Sequence, residues 1–328
     1  MVGTKASDCH TIGAFYGVNG KRLQRQYKDH LSDFKSWEQK KHAREWLLFP
    51  ENIGPYLSID ETALSKGELY TIITNKRAKG RKGAIVAIFS GTKVGPIVEQ
   101  LLKIPAKKRD KVREITLDMA NSMKTIAKQC FPKAVQVTDR FHVQKLALEA
   151  LQDIRIKHRW DAIDQENEQV KRAREQNRAF VPKEFGNGDT RKQLLARSRY
   201  LLYKSPNDWT RDQSERSRIL FAQYPDIKVA FDLVQGLRNI FNTATSIETA
   251  YTKLAHWYKD VENTGFRAFN TIANTISLNY RSILNYFINR STNASAESFN
   301  AKIKAFRAQF RGVRNVEFFL YRLTTIFA

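Results

Sequence analysis

Five short stretches decide the fold: PYLSID (55–60), ELYTIITN (68–75), GAIVAIFS (83–90), EITLD (114–118) and AVQVT (134–138). Each has the length and the β-branched, apolar character of a strand. Lys/Arg/Gly-rich turns separate the first three, which predicts an antiparallel trio. A helical stretch from about Val94 to Lys103 follows, then a basic connector (Lys107, Lys108, Arg109, Lys111, Arg113) leading into EITLD. Between the last two strands, Ala120, Met123, Ile126, Ala127 and Cys130 recur at helical spacing on one face. The order is βββαβαβ, an α/β arrangement of a mixed sheet flanked by helices.

Outward from this block the chain is helical. Residues 146–290 form a large all-helical insertion, broken at Gly186-Asn187-Gly188-Asp189. From about Asn293 a further helix places Ala296, Phe299, Ile303, Phe306 and Phe310 on a buried stripe, with Glu297, Asn300, Lys304, Arg307 and Arg311 toward the other side. At the other end, residues 9–36 suggest short helices with a break at Gly17-Val18-Asn19. This fits a helix-turn-helix in which Val18 and Leu23 pack inward and Lys21, Arg22, Gln24 and Arg25 face a DNA groove, and it fits a plain helical hairpin too. The expected organisation is 1–50 helix-turn-helix region, 51–145 first part of the core, 146–290 helical insertion and 291–328 last part of the core.

Charge points to the partner. The chain holds 56 Lys+Arg against 33 Asp+Glu, a formal net charge of +23, and such a field attracts polyanions, nucleic acid first among them. No apolar run is long enough to span a bilayer and no secretion signal is evident, so a cytoplasmic, nucleoid-associated location without membrane contact is expected. Two cysteines, Cys9 and Cys130, exclude a disulfide framework and a cysteine-based zinc site within the chain. The six histidines are scattered, so any metal is expected on carboxylates.

Three carboxylates stand where solvated charge is uncommon. Asp60 and Asp118 end apolar strands, and Glu297 lies in the first turn of a polar-faced helix. At the carboxyl end of a strand a side chain faces the crevice where ligands bind in sheets flanked by helices. Three such groups brought together repel one another unless a hard cation neutralises them. The same positions also suit turn-forming aspartates and a glutamate favoured at a helix N-terminus.

Four blocks then narrow the choice: YLSIDET (56–62), TLDMANSM (116–123), VTDRFHVQKL (137–146) and TNASAESFNAKIKAFRAQFRGVRN (292–315). Together, in this order, they resemble the catalytic core of DDE transposases from bacterial insertion sequences, specifically the group with a DRFH motif and a late TNA…E…N…K block. The resemblance covers most of residues 50–328. It implies an RNase H-like fold, with Asp60, Asp118 and Glu297 as catalytic metal ligands for two Mg2+ ions, Mn2+ substituting. It gives Asp139 and His142 a supporting role in catalysis or DNA contact, or a packing role at the start of the insertion. Asn300, Lys304, Arg307 and Arg311 become candidate DNA contacts, and Asn293 a candidate N-cap.

The implied activity is that of a polynucleotidyl transferase and DNA endonuclease: metal-dependent phosphodiester hydrolysis at the ends of a mobile element, then strand transfer into target DNA. A nuclease that cuts without joining and a transposase-derived DNA-binding protein are the alternatives. Double-stranded DNA is the expected partner, with a homo-oligomer holding two ends. Related transposases carry a zinc-binding segment before the helix-turn-helix, and no cysteine cluster supplies one here, so a separately encoded N-terminal module is a further expected partner. The basic run Lys76, Arg77, Lys79, Arg81, Lys82 reads either as DNA contacts or as a solvated hairpin tip.

Overall fold

A computed structural model describes residues 7–65, 67–310, 313 and 315–328. The chain forms two compact units, one of Met1–Asp139 with Asn289–Ala328 and the other of Arg140–Ile288.

The first unit opens with helices α1 (Cys9–Phe15) and α2 (Gly20–Gln26). Asp8 caps α1 by accepting from the Thr11 N–H at 2.8 Å, and Asn19 caps α2 by accepting from the Arg22 N–H at 3.1 Å. Gly17, at φ 67°, makes the turn between them. The helices cross at two further glycines: a Cβ on Gly13 would meet the Val18 carbonyl oxygen at 2.5 Å, and one on Gly20 the His10 Cα at 2.6 Å. Leu23 packs inward on Cys9 and Ile12 as expected. Val18 does not, being 50% exposed, because the glycine contact brings the two backbones too close to leave an inward space for it.

The sheet has six strands: β1 (Trp46–Leu48), β2 (Tyr56–Ser65), β3 (Glu68–Asn75), β4 (Ile85–Ser90), β5 (Glu114–Leu117) and β6 (Val135–Thr138). Their spatial order is β1-β4-β3-β2-β5-β6. The predicted antiparallel trio is β2–β3–β4, while β5 and β6 join it in parallel. Helices α3 (Val94–Leu102), α4 (Ala106–Arg109) and α5 (Asn121–Cys130) make the connections, so the expected βββαβαβ order is present. Strand β1, antiparallel to β4 at the edge, is an addition to it.

The second unit begins with the long helix α6 (Arg140–Glu175) and continues through α7 (Arg191–Arg197), α8 (Arg211–Gln223), α9 (Pro225–Thr243), α10 (Ile247–Thr264), α11 (Arg267–Leu278) and α12 (Tyr280–Leu284). Its loop around Gly188 is pinned by the fully buried Asp189, which accepts from Arg197 and, at 2.7 Å, from Arg216. After α13 (Tyr286–Asn289) the chain contributes α14 (Ala294–Gln309) and α15 (Val316–Phe327) to the first unit. Within the described residues no helix is long and apolar enough to cross a membrane.

Alternation along the strands gives the sheet two buried faces. Leu57, Ile59, Ile115 and Leu117 pack against Ile97, Met123 and Ile126 of α3 and α5. Tyr70, Ile72, Ile85 and Ile88 point the other way, onto Phe299, Ile303 and Phe306 of α14 and Leu320 and Leu323 of α15. The N-terminal segment is held to α15 by Phe34 against Phe318 and Tyr321, and by Arg322. That guanidinium is 1% exposed, lies over the rings of Tyr27, Phe306 and Phe310, and donates to the Ser7 carbonyl at 3.1 Å.

Two outcomes follow from this packing. Ile303→Ala opens a cavity between α14 and the sheet and lowers stability by about 2–5 kcal/mol in chemical denaturation. Gly20→Ala forces the first two helices apart at a cost of about 1–3 kcal/mol, visible as faster amide exchange confined to residues 9–26.

Candidate active site

Register places the acidic residues. In the parallel pair β2–β5 the last ladder partners are Ser58 and Thr116, so two residues further on Asp60 stands level with Asp118. In β5–β6 the last partners are Leu117 and Thr138, and the Asp139 N–H donates to the Leu117 carbonyl at 3.1 Å, which brings Asp139 level with Asp118. Three aspartates therefore occupy one level on three neighbouring strands spaced about 4.8 Å apart.

Helix α14 covers the Asp60 side of the sheet, since Asp60 pairs across β2–β3 with Ile72, whose side chain packs on that helix. Asn300 of α14 donates from Nδ2 to Asp60 Oδ2 at 2.7 Å. The other Asp60 oxygen, Oδ1, accepts from the Glu61 N–H at 2.9 Å. Glu297, one turn earlier on α14, brings a carboxylate oxygen within 4.8 Å of one of Asp139. Asp118 Oδ1 accepts from the Ala120 N–H at 2.7 Å, closing the turn into α5.

Electrostatics adds two residues that sequence reading passed over. Burial, with the charges of Asp118 and Asp60 beside it, pushes the Glu61 carboxyl above the usual glutamate range. Lys124 on α5 is pushed down by burial and drawn back up by Asp118. The only sequence signal for Glu61 is its adjacency to Asp60. Lys124 needed the turn of α5 to be known.

Other expected residues divide. Lys21, Arg22 and Arg25 are exposed, while Gln24 is half-buried. Lys21 and Gln24 line a cleft of about 470 Å3 with His10, Gln309 and Asn315. Asn300 was expected on a DNA-facing side, but its amide is turned onto Asp60. Arg307 donates to the Ala63 carbonyl at 3.3 Å, Lys304 is exposed, and Arg311 lies outside the described residues. His142 stands in the first turn of α6, in the second unit. Asn293 occupies the N-cap position of α14 without a side-chain cap bond; it is fully buried and, among the described residues, neither polar atom of its amide has a hydrogen-bond partner.

Lys76 departs from both readings of the basic run. Its Nζ donates to Thr116 Oγ1 at 2.7 Å and pairs with Glu114 Oε1 at 3.4 Å, and the other Glu114 oxygen accepts from Asn289 at 3.3 Å. Burial lowers its pKa while Glu114 and Asp139 raise it. It is an internal cation beneath the aspartate level, neither a tip residue nor a free contact.

Asp60, Asp118 and Asp139 share one level of the sheet, and Glu297 brings a carboxylate oxygen within 4.8 Å of one of Asp139; carboxylate oxygens are the ligands that suit a hard divalent cation. Burial is the larger cause of the raised Glu61 carboxyl, and the charges of Asp118 and Asp60 add to it.

Comparison with known proteins finds relatives among transposases. The chain is 23% identical over 275 residues to the transposase for insertion sequence element IS1001 of Bordetella parapertussis, covering 83% of this chain and 61% of that one. It is 25% identical over 209 residues to the transposase for insertion sequence element IS1557 of Mycobacterium tuberculosis, covering 61% of this chain and 45% of that one. The chain thus spans about three fifths of the first relative and under half of the second. A transposase family model, the ISL3 type of DDE transposase, matches residues 57–323, from the first ladder residues of β2 into α15, and the chain belongs to that family.

Proposed function

We propose that the chain carries out metal-dependent phosphodiester hydrolysis at the ends of a mobile DNA element and transfers the freed 3′-hydroxyl ends into target DNA. The observation that carries the reading is the alignment of Asp60, Asp118 and Asp139 on three adjacent parallel strands, with Glu297 reaching the Asp139 carboxylate from α14. Asp60, Asp118 and Glu297 hold two Mg2+ ions, or Mn2+ in their place, and Asp139 supports them. Such ions supply Lewis-acid stabilisation of the charge that develops on the phosphodiester oxygens.

The chain's own groups orient that chemistry. The Asn300 amide and the Glu61 N–H each donate to one oxygen of Asp60, which orients its carboxylate. Lys76 holds Glu114 out of the ligand set by pairing with it in the sheet's interior. Lys304, on the exposed side of α14, contacts DNA beside the site, and Lys21, Arg22, Gln24 and Arg25 contact it from the helix-turn-helix. His142 supports the site from the start of α6. The reaction requires two element ends at once, so the active form is a homo-oligomer on double-stranded DNA in the cytoplasm.

Asp60→Asn, Asp118→Asn and Glu297→Gln are each expected to lower cleavage of a supercoiled substrate by at least about 10³-fold, the scale of losing a principal charge-stabilising group, with DNA binding retained. Cleavage without joined products in the wild-type chain would make it a nuclease. Wild-type cleavage in all three variants would place the reacting site elsewhere, and DNA binding without any cleavage by the wild-type chain would leave only a DNA-binding role. Glu61→Gln tests the burial of this carboxyl beside Asp118 and Asp60 in the metal-free chain. The folded-state pKa of Glu61 is raised, so its ionisation disfavours the folded state once the pH passes the unfolded value. The variant is expected to melt higher than wild type at pH 7.5 and at the same temperature at pH 3.5, by differential scanning calorimetry.

A further inference from the structure

The turn between β3 and β4 has no role in the chemistry proposed above, yet it is among the most densely basic segments of the first unit. Once Lys76 is assigned to the interior, Arg77, Lys79, Arg81 and Lys82 remain, all exposed, within six positions. Lys302 of α14 adds a fifth exposed cation, donating from Nζ to the Gly80 carbonyl at 2.9 Å. Among the described residues none of these five has a carboxylate partner. The Arg77 guanidinium lies 5.3 Å from the centre of the Tyr56 ring.

This array is held in place. Asn75 caps the turn by accepting from the Arg77 N–H at 3.0 Å and donates to the Asn52 carbonyl at 2.9 Å, while Asn52 donates to the Ile85 carbonyl at 2.7 Å. Lys79, at φ 51°, and Gly80, at φ 67°, are left-handed, a conformation costly for lysine. A Cβ on Gly80 would come within 2.8 Å of Lys302 Nζ, so a larger residue there would displace the clamping ammonium. A flexible loop would let like charges spread apart. Here the backbone keeps them together, and an anion is what relieves their repulsion.

Position names the anion. Asn75 pairs with Leu57, three residues before Asp60 on β2, so the turn starts about 10 Å from that carboxylate along the sheet, on the strands that α14 covers. Duplex DNA carries one phosphate charge per about 1.7 Å of its axis, so a duplex seated at Asp60 has further phosphates at that distance. Lysine and arginine on an exposed tip pair readily with phosphates, which carry no sequence information.

We infer that the β3–β4 turn, clamped by Lys302, is a sequence-independent seat for duplex DNA phosphates flanking the active site. The inference rests on reading the chain as a DNA-processing enzyme, but not on which carboxylates do the chemistry. The test measures binding of the full chain to two 30-base-pair duplexes of unrelated sequence, in EDTA, across a salt series. Lys79→Ala/Arg81→Ala/Lys82→Ala is expected to weaken binding to both at least tenfold at about 150 mM salt and to reduce the slope of log affinity against log salt by two to three. Arg81→Gln alone is expected to reduce it by about one. Lys103→Ala/Lys107→Ala/Lys128→Ala removes the same charge from the α3–α5 side and is expected to change the slope by less than one. An unchanged slope in the turn variants overturns the inference, as does an equal loss in the control, or a loss confined to one duplex. Cleavage by the wild-type chain is measured separately with Mg2+ present, so failure of the catalytic reading shows there and not in these slopes.

Discussion

Parallel register is the constraint on which the rest depends. Strands β2, β5 and β6 are locked to one another by ladder hydrogen bonds, and a shift of one residue would turn Ile59 or Leu117 out of the core. The same lock that satisfies the apolar faces sets Asp60, Asp118 and Asp139 level. Carboxylates therefore gather at one edge of the sheet as a consequence of packing, and Glu61, raised chiefly by burial, is pushed further up by the charges of Asp118 and Asp60. Helix α14 answers with one amide on Asp60 and one carboxylate beside Asp139.

Much of this was legible in the residues. The five strand-like stretches, the apolar face of α5 and the buried stripe of Ala296, Phe299, Ile303 and Phe306 all appear where period and residue type placed them, because burial on one side leaves a regular imprint. What escaped was lateral or very short. The level of Asp139 with Asp118 depends on which strands are neighbours, and spacing along the chain says nothing about that. Strand β1 has three residues at an edge, too few to show a period. Val18 looked apolar enough to be core, but two glycines brought the helix backbones together and excluded it.

Polar residues were read least well, for one physical reason. A lysine in a basic run and an asparagine on a helix's polar face have long or adaptable donors, and their partners are chosen by tertiary contact. Lys76 found Thr116 and Glu114, some 40 residues ahead in the chain, and Asn300 found Asp60 across 240. The basic run that seemed uniform is thus split between an internal counter-charge and an outward array. Fold-level pattern cannot make that split, because Lys76 and Arg77 are adjacent and differ only in which side of the turn they face.

The hydrogen bond from Asn300 to Asp60 also imposes an order in time. A growing chain completes its strands by about residue 138, but the helix that supplies Glu297 and Asn300 emerges only after the whole second unit has been made. Until then the sheet face bearing Tyr70, Ile72, Ile85 and Ile88 has no cover, and such a surface is prone to association with chaperones or with other chains. Synthesis thereby sets a sequence of events: any nascent or interrupted product that stops before Ala294 lacks the helix that finishes the acidic edge, whatever the state of its strands.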